Sequence, residues 1–206
     1  MSWQEHLQKQ HVDRVDANRW RTRLTLESPQ TAMITIDGQR YDNFCSNDYL
    51  GLANDPRLIA AAQSAAGELG VGSGASHLIC GHQKPHQQLE SALASFVGAQ
   101  QVLVFSCGYM ANLSIAQAFM GRDDCVFQDK LNHASLIDAG RACDAKLKRY
   151  AHNDTTTLVE LLQKQTTGRR MIMTDGVFSM DGDVAPLAEL KPVSYTHLTL
   201  PTICSV

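Results

Sequence analysis

At 206 residues, with 44% apolar and 19% charged side chains, the chain has material for one large domain, or one domain with a small appendage. A net charge of −3 speaks against partners such as nucleic acid or an acidic membrane surface, and no run approaches the roughly 18 apolar residues of a membrane span. The polar start MSWQEHLQKQHVDR carries no apolar signal region, and the cysteines (Cys45, Cys80, Cys107, Cys125, Cys143, Cys204) form no CxxC pair, as expected of free thiols in a reducing cytoplasm.

Residues 4–23 are polar, with Arg14, Arg19, Arg21 and Arg23, and predict an arm or helix lying on another surface. TAMITI and QRYDNF flank Asp37-Gly38, a pair that tolerates the positive φ of a type I′ hairpin turn. Asp55-Pro56 supplies an N-cap and an N1 proline for a helix through about residue 69, with Leu58, Ala62, Ala65 and Leu69 at helical spacing. The glycine-rich GVGSGAS then leads to a helix starting near Pro85, expected to bury Leu89, Leu93 and Phe96 and to end at Gly98.

From residue 101 strands and helices alternate. QVLVF precedes a helix near 110–120, and CVF (125–127) a helix near 134–143. KLKRYAH precedes a helix near 155–165 capped by Asn153 or Asp154, and RRMIMT precedes GVFSMDGD and the short helix APLAEL. This spacing predicts right-handed βαβ units: an α/β fold with a mostly parallel, helix-covered sheet of which four strands are visible. The sheet reads as incomplete. Pro192 is expected to interrupt the last helix. Residues 193–206, VSYTHLTLPTICSV, carry no Asp, Glu, Lys or Arg and are expected to be foreign sequence.

Ligands of such sheets bind at the carboxyl ends of the strands. The turn Ser106-Cys107-Gly108-Tyr109 follows the first strand and opens a helix, where Gly108 lets backbone N–H groups approach an anion and Tyr109 adds a hydroxyl or ring. A plain structural turn has the same look. His133 follows the second strand, on the same edge, and reads either as a ring stacked on a cofactor or as a helix cap. Ser179 follows the fourth strand in a loop with two acids and two glycines. Arg21 is a solvated charge or a fork for a substrate carboxylate. GVGSGA formally fits a dinucleotide fingerprint but follows a helix rather than a strand, which argues against a nicotinamide oxidoreductase. His82 and His86 have metal-pair spacing without an evident third ligand, so no metal is expected.

Taken together, FCSNDYLGL, GSGASHLICGHQKPHQQLE, FSCGYMAN, LNHASL, RYAHND and TDGVFSMDGDVAPLAEL, in that order, resemble the α-oxoamine synthases of the fold-type I pyridoxal-phosphate enzymes. GSGASHLICGH and the Ser2-Trp3 start are most similar to the biotin-pathway branch of that family. The resemblance covers about residues 1–191, roughly half of a family member. It implies pyridoxal 5'-phosphate as cofactor, held by Gly108, Tyr109, His133 and Ser179, with His133 also catalytic. It implies that Arg21, Asn47 and His133 bind substrate. The implied reaction condenses L-alanine with pimeloyl-CoA or pimeloyl-ACP in a cytoplasmic homodimer; glycine or serine as the amino acid is the alternative within the family. Asp175 stands where the family usually has Glu, which puts any contact there in doubt. The family's cofactor-binding lysine and ring-nitrogen aspartate belong to downstream segments, so this chain is expected to be a non-catalytic fragment. Its organisation reads as arm and hairpin (1–50), truncated cofactor-binding domain (51–192) and foreign tail (193–206).

Overall fold

The computed structural model describes residues 1–197. The expected foreign tail lies largely outside the described residues (198–206), as do the side chains of 194–197. The chain divides into two compact units, one ending at Gly81 and the other beginning at His82.

The first unit opens on α1 (Trp3–Asp16), whose start is fixed by a reciprocal capping box. Glu5 N–H donates to Ser2 Oγ at 3.1 Å, and Ser2 N–H donates to Glu5 Oε2 at 2.7 Å. None of its residues is buried. Strands β1 (Met33–Ile36) and β2 (Gln39–Asp42) pair antiparallel across Asp37 (φ 50°) and Gly38 (φ 70°), the two positive angles that the Asp-Gly signal predicts. Helix α2 (Pro56–Leu69) starts where expected, with Asp55 Oδ1 accepting from the Arg57 N–H at 2.8 Å. The glycine-rich loop after α2 leads into a π-helical turn, His77–Gly81. A Cβ at Gly81 would sit 1.8 Å from the Ala75 carbonyl oxygen, so only glycine fits there.

The second unit begins with α3 (Lys84–Val97), which stops at Gly98 in the left-handed conformation. Of its predicted core side chains Leu93 is half-buried, but Leu89 is 46% and Phe96 87% exposed. An apolar stripe needs an opposing surface, and the described residues bring none onto this one. Residues 101–105 form no strand, and Leu103 is 79% exposed. Strand propensity makes a strand only where a ladder partner takes up the backbone N–H and C=O groups, and no described segment does so here.

The remaining predicted elements are present. Helix α4 (Gly108–Phe119) leads to β3 (Cys125–Asp129), α5 (Ala134–Ala142), β4 (Lys146–Tyr150), α6 (Thr155–Gln163), β5 (Arg170–Met173) and α7 (Leu187–His197). Helix α7 runs through Pro192 instead of stopping before it. The sheet is parallel, in the order β4-β3-β5, so three of the four expected strands are realised.

Alternation along the fully buried β3 builds two cores. Val126 packs with Ala116 of α4, Met120 just after it, and Leu136 and Ala139 of α5 on one face. Cys125 and Phe127 pack with Leu158, Leu162 and Leu190 of α6 and α7 on the other. At Gly140, α5 presses so closely on the sheet that a Cβ would lie 2.8 Å from Gln128 Nε2 and 2.9 Å from Leu147 Cδ1. At the amino-terminal edge, buried Asp124 accepts from the N–H groups of Gly121 (2.7 Å) and Arg169 (2.7 Å) and from the Arg169 guanidinium. Those bonds, the Gly121 one foremost, hold its carboxyl below the usual range. This locks the amino-terminal edge and leaves the carboxyl edge for chemistry.

Candidate functional site

The carboxyl edge gathers the start of α4, the start of α5 and the loop after β5. Cys107 precedes α4 without capping it through its side chain. Among the described residues, the N–H groups of Gly108 and Tyr109 donate to no protein acceptor. These are the orphan donors of a helix N-terminus, and they carry the positive end of the helix dipole. A Cβ at Gly108 would meet nothing within 4 Å, so the approach to these donors is open. The hydroxyl of Tyr109 is engaged elsewhere: it donates to Asp138 Oδ2 of α5 at 2.5 Å. That bond, with some burial and the Asp138 charge, raises the phenol above its ordinary pKa. Tyr109 therefore ties α4 to α5 with its side chain and offers the opening its backbone.

His133 is the N-cap of α5, and its ring is fixed from behind. Nδ1 accepts the Ser135 N–H at 3.2 Å and lies 2.7 Å from Ser135 Oγ. Buried Asn112 of α4 donates through Nδ2 to the same Oγ at 2.9 Å. With Oγ accepting from Asn112, its own proton points at Nδ1, which leaves the neutral ring's proton on Nε2. The His133 backbone N–H donates to Asp175 Oδ2 at 2.5 Å, so the aspartate whose reach the sequence puts in doubt does make a contact. Asn132 completes the join, accepting from the Asp175 N–H at 3.2 Å and donating to the Met173 carbonyl at 2.8 Å. Hydrogen bonds thus tie the turn at Gly108, His133 and the segment leading to Ser179 into one edge.

Ser179 is exposed at the tip of a short hairpin closed by the Val177–Val184 bridge, with the Phe178 N–H donating to the Asp183 carbonyl at 2.9 Å. Beside it lies His152, to which sequence reasoning gives no role. Its Nδ1 is 3.1 Å from Asp129 Oδ1 and its Nε2 is 2.7 Å from Asp183 Oδ2. Asp183 first and Asp129 second raise the imidazole above its ordinary pKa. An Asp ending a buried strand and a His two residues past the end of its neighbour were the available signals. Arg21 and Asn47 belong to the first unit. The Arg21 guanidinium donates to the carbonyls of Asn18 and Trp20, and the Asn47 carbonyl accepts from the Tyr49 N–H at 2.9 Å.

Among the described residues, His152, Asp181 and Asp183 have ligand atoms within 4.8 Å of one another. Both ring nitrogens of His152 face carboxylates, Nδ1 that of Asp129 and Nε2 that of Asp183. His86 accepts the Gln83 N–H on Nδ1 at 3.1 Å and stacks on His82, an N-terminal cap for α3. The described cysteines are all free. No helix among the described residues is long and apolar enough to cross a membrane.

The family model "Aminotransferase class I and II" matches residues 41–201. The 8-amino-7-oxononanoate synthase of Hahella chejuensis is 52% identical over 196 residues, which are 95% of this chain and 50% of that protein. The Sphingomonas wittichii serine palmitoyltransferase superposes with a TM-score of 0.89 at 28% identity, over 99% of this chain and 52% of that one. A serine palmitoyltransferase from S. paucimobilis, solved with bound PLP and myriocin, gives 0.84 at 28% identity, over 97% of this chain and 52% of that one. The chain spans about half the length of the curated relatives it matches.

Proposed function

The chain belongs to the class I and II aminotransferase family, and on that premise we propose that the protein carrying these residues condenses L-alanine with a pimeloyl thioester on pyridoxal 5'-phosphate. The products would be 8-amino-7-oxononanoate, CO2 and the free carrier thiol, coenzyme A or acyl carrier protein. The observation that carries this reading is the 52% identity to a synthase of that name. The open donors at the start of α4 fit the cofactor's phosphate. In this reading Gly108 and Tyr109 receive the phosphate through their N–H groups. His133 lies on the cofactor ring and presents Nε2–H to the reacting groups, Ser179 bonds near the ring hydroxyl, and Arg21 and Asn47 bind substrate. Bound there, the cofactor supplies an electron sink for the pair left on the amino-acid carbon. Residues 51–192 are then the cofactor-binding part, 1–50 the arm and hairpin, and 193–206 foreign sequence; the working enzyme is a cytoplasmic homodimer.

The 206-residue chain itself we read as inactive. None of its seven lysines matches the family's cofactor lysine. Lys148 Nζ, on β4, is occupied by Gln165 Oε1 at 3.0 Å. Titrating the chain with pyridoxal phosphate is expected to shift the amide signals of Gly108 and Tyr109 without producing the visible absorbance of a lysine-bound cofactor. Unmoved amides, or a borohydride-stable adduct at one lysine, overturn these two parts respectively. The second reading, serine or glycine as the amino acid, is favoured by the likeness to serine palmitoyltransferases. Assaying the extended polypeptide with alanine, glycine and serine decides it, and preference for glycine or serine defeats the alanine assignment.

A further inference from the structure

We propose that His152 is a positioning residue: by bridging Asp129 and Asp183 it latches the hairpin that carries Ser179 onto the end of the central strand. The hairpin needs such an anchor. It has a single bridge, Val177 to Val184, and Val177, Met180 and Val184 are all exposed, so its own pairing gives it little stability. Two groups hold it. Phe178 is buried with its ring edge-on to His152, 4.5 Å between centroids at 88°. Asp183 Oδ2 accepts from His152 Nε2 at 2.7 Å and from Asn153 Nδ2 at 2.9 Å.

The other end of the bridge is fixed to the core. Asp129 is buried at the last position of β3, where its oxygens accept the N–H groups of Leu131 (2.8 Å) and Asn153 (2.7 Å). His152 Nδ1 reaches the same carboxylate at 3.1 Å. The path from the central strand to the hairpin therefore runs through the His152 imidazole, with Asn153 beside it bonding the same two carboxylates.

That imidazole works fully in one protonation state. With both nitrogens protonated it donates to both carboxylates; neutral, it has one N–H and must turn a lone pair on the other acid. The charged groups brought against it are Asp129 from β3 and Asp181 and Asp183 from the hairpin, all acidic. Because the folded-state pKa is raised, the stabilisation is fully present below the ordinary value of 6.5 and is lost as pH rises through the higher folded value. The latch closes on the acid side and loosens on the alkaline side.

The consequence for cofactor binding through Ser179 rests on the function proposed above; the latch itself does not. It is tested on the cofactor-free chain by NMR hydrogen exchange. Protection factors at the amides of Phe178, Gly182 and Ala185 should fall about tenfold from mildly acid to mildly alkaline pH, while those of Val126 and Phe127 in β3 stay constant. In His152→Asn the hairpin amides should be poorly protected at every pH, with β3 unchanged. Should that variant lose β3 protection, Asp183→Asn, which leaves the Asp129 end intact, must reproduce the hairpin effect alone. Flat protection in the parent chain overturns the latch, as does an unchanged pH profile in His152→Asn or in Asp183→Asn. The cofactor reading is judged separately by the Gly108 and Tyr109 signals, so either result can fail without the other.

Discussion

Ser135 does more for the site than its size suggests, because Asn112 of α4 and His133, the cap of α5, converge on it. Its hydroxyl accepts from Asn112 and faces His133 Nδ1, while its own N–H reaches the same nitrogen. Replacing it with alanine strands a buried amide donor, a loss of about 1–3 kcal/mol, and frees the imidazole to exchange its proton between nitrogens. In Ser135→Ala the unfolding free energy from urea melts should fall by that amount, with a lower midpoint, and ring 15N shifts of His133 should move from the Nε2–H tautomer toward a mixture. An unchanged midpoint with an unchanged tautomer would show that the network does not hold the ring. The edge positions of His133 and Ser179 were legible in the sequence because each follows a strand-like run, and position along a parallel sheet predicts which edge a residue occupies. Asn112, Asp129 and His152 were not legible in the same way. A buried polar side chain takes its meaning from its partner, and those partners lie 23 residues away for both Asn112–Ser135 and His152–Asp129.

Among the elements, helices were easier to foresee than strands, since a helix satisfies its own backbone while a strand borrows its partner. The caps at Asp55 and Gly98 fall where the sequence puts them, whereas 101–105 has the composition of a strand and no ladder. Glycines separate local from tertiary control in a measurable way. Gly168, in the turn between α6 and β5, sits at φ 73°, and a Cβ there would lie 2.0 Å from the Asp123 carbonyl oxygen. Gly168→Ala must both strain the left-handed backbone and displace a rigid carbonyl next to the Asp124–Arg169 pair. It should cost about 2–4 kcal/mol in denaturant unfolding. Gly67 lies within α2, and a Cβ there would meet nothing within 4 Å. Gly67→Ala should act with the opposite sign, adding about 0.5–1 kcal/mol of helix stability visible as increased ellipticity. If both changes destabilise, the local-versus-tertiary distinction drawn from these two positions is wrong.

The second unit as a whole carries more apolar surface than its own layers cover. The three-stranded sheet is sealed on both faces by α4, α5, α6 and α7, yet α3 leaves Phe96 and Val97 in solvent, and the strand-like run that follows exposes Leu103. An extended segment rich in Val, Leu and Phe, with unpaired backbone groups, is a template for pairing with another chain, and a neighbouring apolar helix face adds to the attraction. The buried sheet and the two cores make the unit stable enough to present that segment persistently rather than to unfold around it. The 206-residue chain should therefore self-associate. Size exclusion with light scattering should show mass rising with concentration, and lowering the temperature should weaken the association as the hydrophobic contribution fades. Leu103→Lys places a charge in the middle of the exposed run and should shift the distribution toward monomer without changing the far-ultraviolet dichroism. If the parent chain runs as a monomer at every concentration, the segment does not act as an open edge, and its strand composition would need another explanation within the unit.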